Sequence, residues 1–332
     1  MSRISTQRLN VRLALAAIAI VFLMAASVSA QTYSTLFTYP IDTRNDSGIF
    51  TPGIMSQGQD GNIYGTIVDD GSNGDGSAFK MTTSGEFTRI YAFCQLTGCV
   101  DGASPYGGLT LGRDGNLYGG AEVGGKNAFG TLFKLTPTGT LTTIWDFKGG
   151  TDTGYPLYPP FQGTDGNFYA APNGSNGAGA VIKLTPTKAP PYLEKTLGNF
   201  IGTNGGAPAF PVQATDGNFY GAAFNGGSRG FGVVYKATPA GKLTVLHNFC
   251  TQTSCLDGAS PIGALVQGED GALYGVTYQG GAGNIGIFFK ITTAGTFTLL
   301  HSFAGFSGSE PALPRSGLIV GSDGNFYGVT YA

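Results

Sequence analysis

One short phrase recurs six times in this chain of 332 residues and constrains its architecture more than any other feature. It reads Asp-Gly-Asn-Ile-Tyr from Asp60 and Gly61, and Asp-Gly-Asn-Leu-Tyr from Asp114 and Gly115. Asp-Gly-Asn-Phe-Tyr follows from Asp165 and Gly166, from Asp216 and Gly217, and from Asp323 and Gly324, with a variant, Asp-Gly-Ala-Leu-Tyr, from Asp270 and Gly271. Successive copies lie 54, 51, 51, 54 and 53 residues apart, so one structural unit has been copied along most of the chain.

The second unit reads as four short antiparallel strands. Residues 108–113 alternate apolar and polar side chains, Asp114-Gly115 supplies a two-residue hairpin turn, and residues 116–121 form the return strand. A Gly-rich loop over residues 122–130 precedes a third strand over 131–136, a turn at Pro137-Thr138-Gly139 and a fourth strand over 141–147. In the fourth strand the apolar residues fall at every third place, Leu141, Ile144 and Phe147, as do Phe87, Ile90 and Phe93, or Leu243, Leu246 and Phe249. A strand with one wet face shows period two, so either a bulge sits here or both faces are covered. A four-stranded unit of this length, packed face to face with its copies, predicts an all-β β-propeller of four-stranded blades. Five blades are complete. A sixth is shared by the termini, residues 32–39 matching a fourth strand and residues 316–332 a first and second. Because the chain stops inside a repeat, a longer propeller cut short is the favoured reading over an imperfectly closed ring of six.

Residues 1–30 differ from everything that follows. Arg3, Arg8 and Arg12 precede an apolar run from Leu13 to Val28, and Val28-Ser29-Ala30 offers the small residues that a signal peptidase reads. The expected organisation is a signal peptide over 1–30 and one propeller domain over 31–332, secreted, periplasmic or on the cell surface, with no membrane span after cleavage. The mature chain then holds 15 basic and 20 acidic residues, which does not favour nucleic acid. Its four cysteines form two copies of one motif, Cys94 with Cys99 and Cys250 with Cys255, each followed by Asp-Gly-Ala-Ser-Pro. A disulfide closing each short loop suits an oxidising compartment, whereas two distant cysteine pairs and two histidines make a poor zinc set.

Strand order separates the two ends of each blade. The tight Asp-Gly and Pro-x-Gly turns share one face, and the long loops share the other, which is the expected ligand-binding face. Its acids Asp101, Asp152, Asp257 and Glu310 are the candidate ligand contacts, set against the commoner role of a solvated loop acid. A turn aspartate that bonds its own backbone explains the six Asp-Gly copies; a calcium ion at each is the competing reading, and no other cofactor is expected. His247 and His301 occupy a fourth-strand position that elsewhere holds Tyr91, Trp145 or Gly198, which marks it as a packing position. Lys80, Lys134, Lys183, Lys236 and Lys290 recur in the third strand, with stems expected along a neighbouring blade and ammonium groups in water. Neither a nucleophile elbow nor a phosphate-binding loop occurs in a supporting context.

The unit consensus, Asp-Gly-Asn-[Leu/Phe]-Tyr-Gly, a Gly-rich loop, then [Phe/Tyr]-Lys-[Leu/Ile/Ala]-Thr-Pro-x-Gly, resembles the GloVer tandem-repeat family of exported bacterial proteins over nearly all of the mature chain. The resemblance implies a β-propeller, without assigning an activity. Many family members carry a C-terminal surface anchor that this sequence lacks, which again suggests a truncated chain. The phrase also looks like the Asp-Gly-Asn-Leu-Trp phrase of streptogramin lyases, but only His247 and His301 are present and no catalytic residue carries over. The expected function is therefore a monomeric, non-catalytic propeller that binds a glycan, a peptide or an envelope partner. A lyase or hydrolase with a site at the channel mouth is the alternative.

Overall fold

The computed structural model describes residues 35–38, 53–150, 153–174, 177–303 and 313–330. The chain forms two units, residues 1–38 and residues 39–332. Residues 35–38, the described part of the segment expected to supply an outer strand, carry no strand and are exposed. The expected leader, Asp152 and Glu310 lie outside the described residues.

The larger unit is all-β and has the propeller pattern, with five sheets of sequential antiparallel strands followed by a two-stranded sixth. The second sheet is representative, with strands Leu109–Leu111, Leu117–Ala121, Thr131–Leu135 and Leu141–Asp146. Its first hairpin is one residue longer than the two-residue turn expected. Gly112 N–H bonds Asn116 O at 2.8 Å, and Gly115 N–H bonds Gly112 O at 3.0 Å with Gly115 at φ 76°. That is a three-residue loop closed by a left-handed glycine, a geometry that matches strand twist. The hairpin at Thr136 to Thr140 repeats it, and there Gly139 is required twice. Its φ is 93°, and a side chain would run into the carbonyl of Ile90 in the first sheet.

The three-residue period of the fourth strands comes from a bulge. Leu132 pairs with Trp145 and Phe133 with Thr143, so Ile144 is the extra residue. Ile90, Leu197, Leu246 and Leu300 are skipped in the same way in the other four sheets. The bulge turns that apolar side chain toward the next sheet, and Ile144 and Leu197 are each 1% exposed.

Each hydrophobic core lies between consecutive sheets. Ile144, Phe147 and Tyr118 of the second sheet pack on Phe168, Ile182 and Leu184 of the third, whose Tyr169, Val181 and Leu197 pack on Phe219 and Tyr235 of the fourth. At each of three junctions the tyrosine of the repeated phrase lies against the phenylalanine of the next copy. Ring centroids are 4.0 Å apart for Tyr118–Phe168, 4.0 Å for Tyr169–Phe219 and 4.2 Å for Tyr274–Phe326. The first strands converge as well, since Ile54 N–H bonds Gly107 O and Leu109 N–H bonds Ile54 O, both at 2.8 Å.

The expected effects of truncating Tyr169 separate its two ends. Tyr169→Phe, which removes only the hydroxyl, is expected to cost about 1–2 kcal/mol, and Tyr169→Ala about 3–5 kcal/mol. Urea unfolding of the two variants checks the order; equal losses would show that the ring stack contributes nothing beyond the hydroxyl.

Candidate functional site

At the tight-turn end, each aspartate of the repeated phrase collects donors. Asp114 Oδ1 accepts the Asn116 N–H at 3.1 Å, and Oδ2 accepts Asn116 Nδ2 at 2.8 Å, Tyr118 Oη at 3.0 Å and Lys134 Nζ at 2.9 Å. The lysine expected along a neighbouring blade thus turns back onto its own sheet, because strand pairing sets Lys134 opposite Tyr118. The same pairing joins Lys80 to Asp60, Lys183 to Asp165, Lys236 to Asp216 and Lys290 to Asp270. Lys290, then Tyr274, hold the Asp270 carboxyl at about 2; at Asp60, Asp114 and Asp216 burial opposes the charge but the donors outweigh it, again giving about 2. Burial and the bond to Asp60 push the Tyr64 phenol up to about 12, so it stays a donor. A calcium ion at these oxygens would have to displace an ammonium and a phenol. Glutamines add a link between sheets: Gln162 Oε1 accepts Arg113 N–H, Gln213 Oε1 accepts Thr164 N–H and Gln267 Oε1 accepts Thr215 N–H, each at 2.8 Å.

At the long-loop end, Cys94–Cys99 and Cys250–Cys255 are disulfide-bonded. Asp101 and Asp257 lie beneath these two loops, 2% and 1% exposed. Asp101 accepts Tyr91 Oη at 2.8 Å and the N–H groups of Gln95 and Leu96 at 3.1 and 3.2 Å. Asp257 accepts Thr251 Oγ1 at 2.6 Å and the N–H groups of Thr251 and Gln252 at 3.0 and 3.2 Å. Each carboxylate therefore organises its own loop. His247 stacks on Phe297 with centroids 4.1 Å apart, a packing contact, with Nε2 3.6 Å from Asp257 Oδ2. Burial lowers its basicity, against the raising effect of Asp257. Among the described residues, the sole group of three metal-ligating side chains joins Asp75 to Cys94 and Cys99, whose sulfurs are already bonded to each other.

A different cluster stands at the loop end of the first two sheets. Glu122 directly follows the second strand of its sheet, Asp69 lies two residues beyond strand Ile63–Ile67, and Tyr106 precedes strand Leu109–Leu111. Among the described residues no donor or cation meets the Glu122 carboxylate, and its partial burial raises its pKa. Burial first, then the charges of Glu122 and Asp69, raise the pKa of the Tyr106 phenol. Phe224 and Phe231 are exposed on the same end of the fourth sheet, and the Arg315 guanidinium lies 4.9 Å from the ring centre of Tyr278 in the fifth.

The Gloeobacter/Verrucomicrobia repeat matches residues 51–253 and again 159–332, which together take in nearly all of the repeated region. The chain belongs to that repeat family. Among curated proteins none matches it. Solved structures that it resembles include the gluconolactonase XC5397 of Xanthomonas campestris, with a TM-score of 0.49, 8% identity, and coverage of 85% of this chain and 83% of that one. The PQQ-bound aldose sugar dehydrogenase of Streptomyces coelicolor gives 0.47 at 12% identity over 81% and 85%. An endo-1,4-beta-xylanase of Bacteroides thetaiotaomicron gives 0.44 at 12% identity over 80% and 97%. Those activities belong to those proteins.

In this family member the residues singled out from sequence separate by role. The turn aspartates and glycines belong to the scaffold and Asp101 and Asp257 to their loops, while Glu122, which composition alone does not mark, is half-buried without a hydrogen-bond or ion-pair partner among the described residues. Comparing repeats in register marks it: Glu122 stands where the others carry Val68, Asn173, Phe224 and Tyr278.

The depressed turn carboxyls predict an acid limb. Their folded values lie below the ordinary 3.8, so the stabilisation they give is complete above about pH 4 and is lost as pH falls toward 2. Urea midpoints measured from pH 5 to 2.5 should fall, and a double variant Asp165→Asn, Asp216→Asn should fall less. An equal drop in both proteins would place the acid sensitivity elsewhere.

Proposed function

We propose that this protein is an exported, non-catalytic binding propeller that takes a glycan on its long-loop face, with Tyr106 and Glu122 as contacts. The observation that carries this reading is the half-buried Glu122 carboxylate, which has no hydrogen-bond or ion-pair partner among the described residues and whose charge acts on the Tyr106 phenol. An unpaired carboxylate in a partly dry place costs stability, and such groups cluster where a ligand supplies the partner. Neighbouring sugar hydroxyls donate to both oxygens of a carboxylate, and a tyrosine ring accepts the C–H face of a pyranose. Two disulfides and an apolar leader sequence support export. Direct contact by Asp101 or Asp257 would require their loops to open, so this reading gives them the task of holding the loops in shape.

The charge of Asp69, which like that of Glu122 acts on the Tyr106 phenol, favours one second reading, a glycoside hydrolase in which Glu122 is the acid and Asp69 the second carboxylate. Calorimetric titration with a panel of soluble polysaccharides, with product analysis on the same samples, separates the two. Binding without chain cleavage is expected, weakened at least tenfold by Tyr106→Ala and by Glu122→Gln. Released reducing ends would establish the hydrolase, and no binding across the panel would sink both. Because the Glu122 carboxyl is raised in the folded state, the fold loses stability as pH rises through that value. Glu122→Gln is therefore expected to raise the melting temperature at pH 7 and leave it unchanged at pH 4.

A further inference from the structure

At the tight-turn end a polar groove runs between the fourth and fifth sheets, remote from the loop-end cluster around Glu122. It has a volume of about 340 Å³, with Thr215 and Asp216 on the side of the fourth sheet and Asp270, Ala272, Lys290 and Thr292 on the side of the fifth. Two departures from the repeat meet there.

The first is Ala272. At the third place of the phrase the other five copies have Asn62, Asn116, Asn167, Asn218 and Asn325, and each Nδ2 donates to Oδ2 of its own turn aspartate at 2.6 to 2.8 Å. Asp270 keeps the rest of the arrangement. Its Oδ1 accepts the Ala272 N–H at 3.1 Å, and its Oδ2 accepts Tyr274 Oη at 2.8 Å and Lys290 Nζ at 2.6 Å. Among the described residues no carboxamide reaches it, and Ala272 lines the groove instead.

The second is Thr215, at the place just before the aspartate. In the first sheet Gln59 holds that place and lies over Gly115 of the second, with Oε1 3.1 Å from where a side chain on that glycine would begin. In the second sheet Arg113 holds it and crosses to the third, donating to Gly163 O at 2.8 Å. Thr164 and Thr215 are too short for either contact, and a side chain placed at Gly217 or Gly271 on the sheet that follows would meet nothing within 4 Å. The junction of the third and fourth sheets still has Asn218. That of the fourth and fifth lacks both the long side chain and the carboxamide.

We infer that this groove binds a small ligand through a primary carboxamide, which takes the place of the asparagine side chain that the fifth copy lacks. One amide N–H bonds Asp270 Oδ2, as the asparagines do in the other copies, and the amide oxygen accepts from the Lys290 ammonium. A carboxamide suits the place because one small planar group carries two donors and an acceptor. Hydrogen bonds to an ionised carboxylate and from an ammonium are the stronger kind, so two of them orient the group. A carboxylate of the same shape would bring a third negative charge to Asp216 and Asp270, and the groove therefore selects the amide over the acid.

The test titrates the whole chain with L-glutamine and, separately, with L-glutamate, and follows the ligand signals by NMR. Saturable binding of glutamine is expected, at least tenfold tighter than that of glutamate. Ala272→Asn, which restores the side chain of the other five copies, should abolish it, and Thr215→Arg, which restores the crossing made by Arg113, should weaken it at least tenfold. The five asparagines show that the fold accepts that residue at this place, so Ala272→Asn tests the groove in a folded protein. The comparison of the two ligands needs no variant at all. No binding of glutamine, which would leave the groove to water, overturns the proposal, as does equal binding of glutamate or undiminished binding by Ala272→Asn.

Discussion

The tyrosine of the repeated phrase is held at both ends, and the rest of the larger unit depends on that. Its hydroxyl donates to the turn aspartate four residues earlier, at 2.7 to 3.0 Å in every copy, while in the first five copies its ring packs against the next sheet. One side chain therefore couples a local hairpin to the spacing between blades. A lysine on the neighbouring strand completes the arrangement in five copies, so the turn carboxylate binds strands two and three of its own sheet together. Exposed ion pairs taken singly contribute little. Here each belongs to a network that also fixes a buried ring.

This coupling explains why some of the structure was legible in the sequence and some was not. The number of units, the four strands in each and the position of both hairpins followed from spacing, because turn residues and apolar alternation act locally. The choice between bulge and doubly covered face at Ile144 stayed open, since both give the same three-residue spacing; the structure shows both, a bulge whose extra residue enters the interface between sheets. The lysine was misplaced because its partner lies 20 residues away, at Asp114, and only the pairing of Tyr118 with Lys134 brings the two together. The glutamine links between sheets, such as Gln162 with Arg113, span 49 residues and carry no local signal.

The candidate site was the least legible part, for a related reason. An acid in a Gly-rich loop looks available whether it faces water or its own backbone. Asp101 and Asp257 face the backbone, because each cysteine loop directs two N–H groups inward and needs an acceptor there. Glu122 is set apart by what surrounds it, and those surroundings come from segments of two sheets that only the fold assembles.

The two cysteine loops show how such an acceptor is maintained while side chains change. Asp101 has three donors, two backbone N–H groups and the Tyr91 hydroxyl at 2.8 Å. At the matching strand position the second loop has His247, whose Nε2 stays 3.6 Å from Asp257 and without a hydrogen-bond partner. Asp257 nevertheless keeps three donors, because Thr251 stands where the first loop has Gln95 and supplies a hydroxyl at 2.6 Å. The hydroxyl has moved from strand to loop, and the donor count at the carboxylate is unchanged. Buried charge demands that count far more strictly than it demands any one residue type, so the carboxylate belongs to the architecture of the loop.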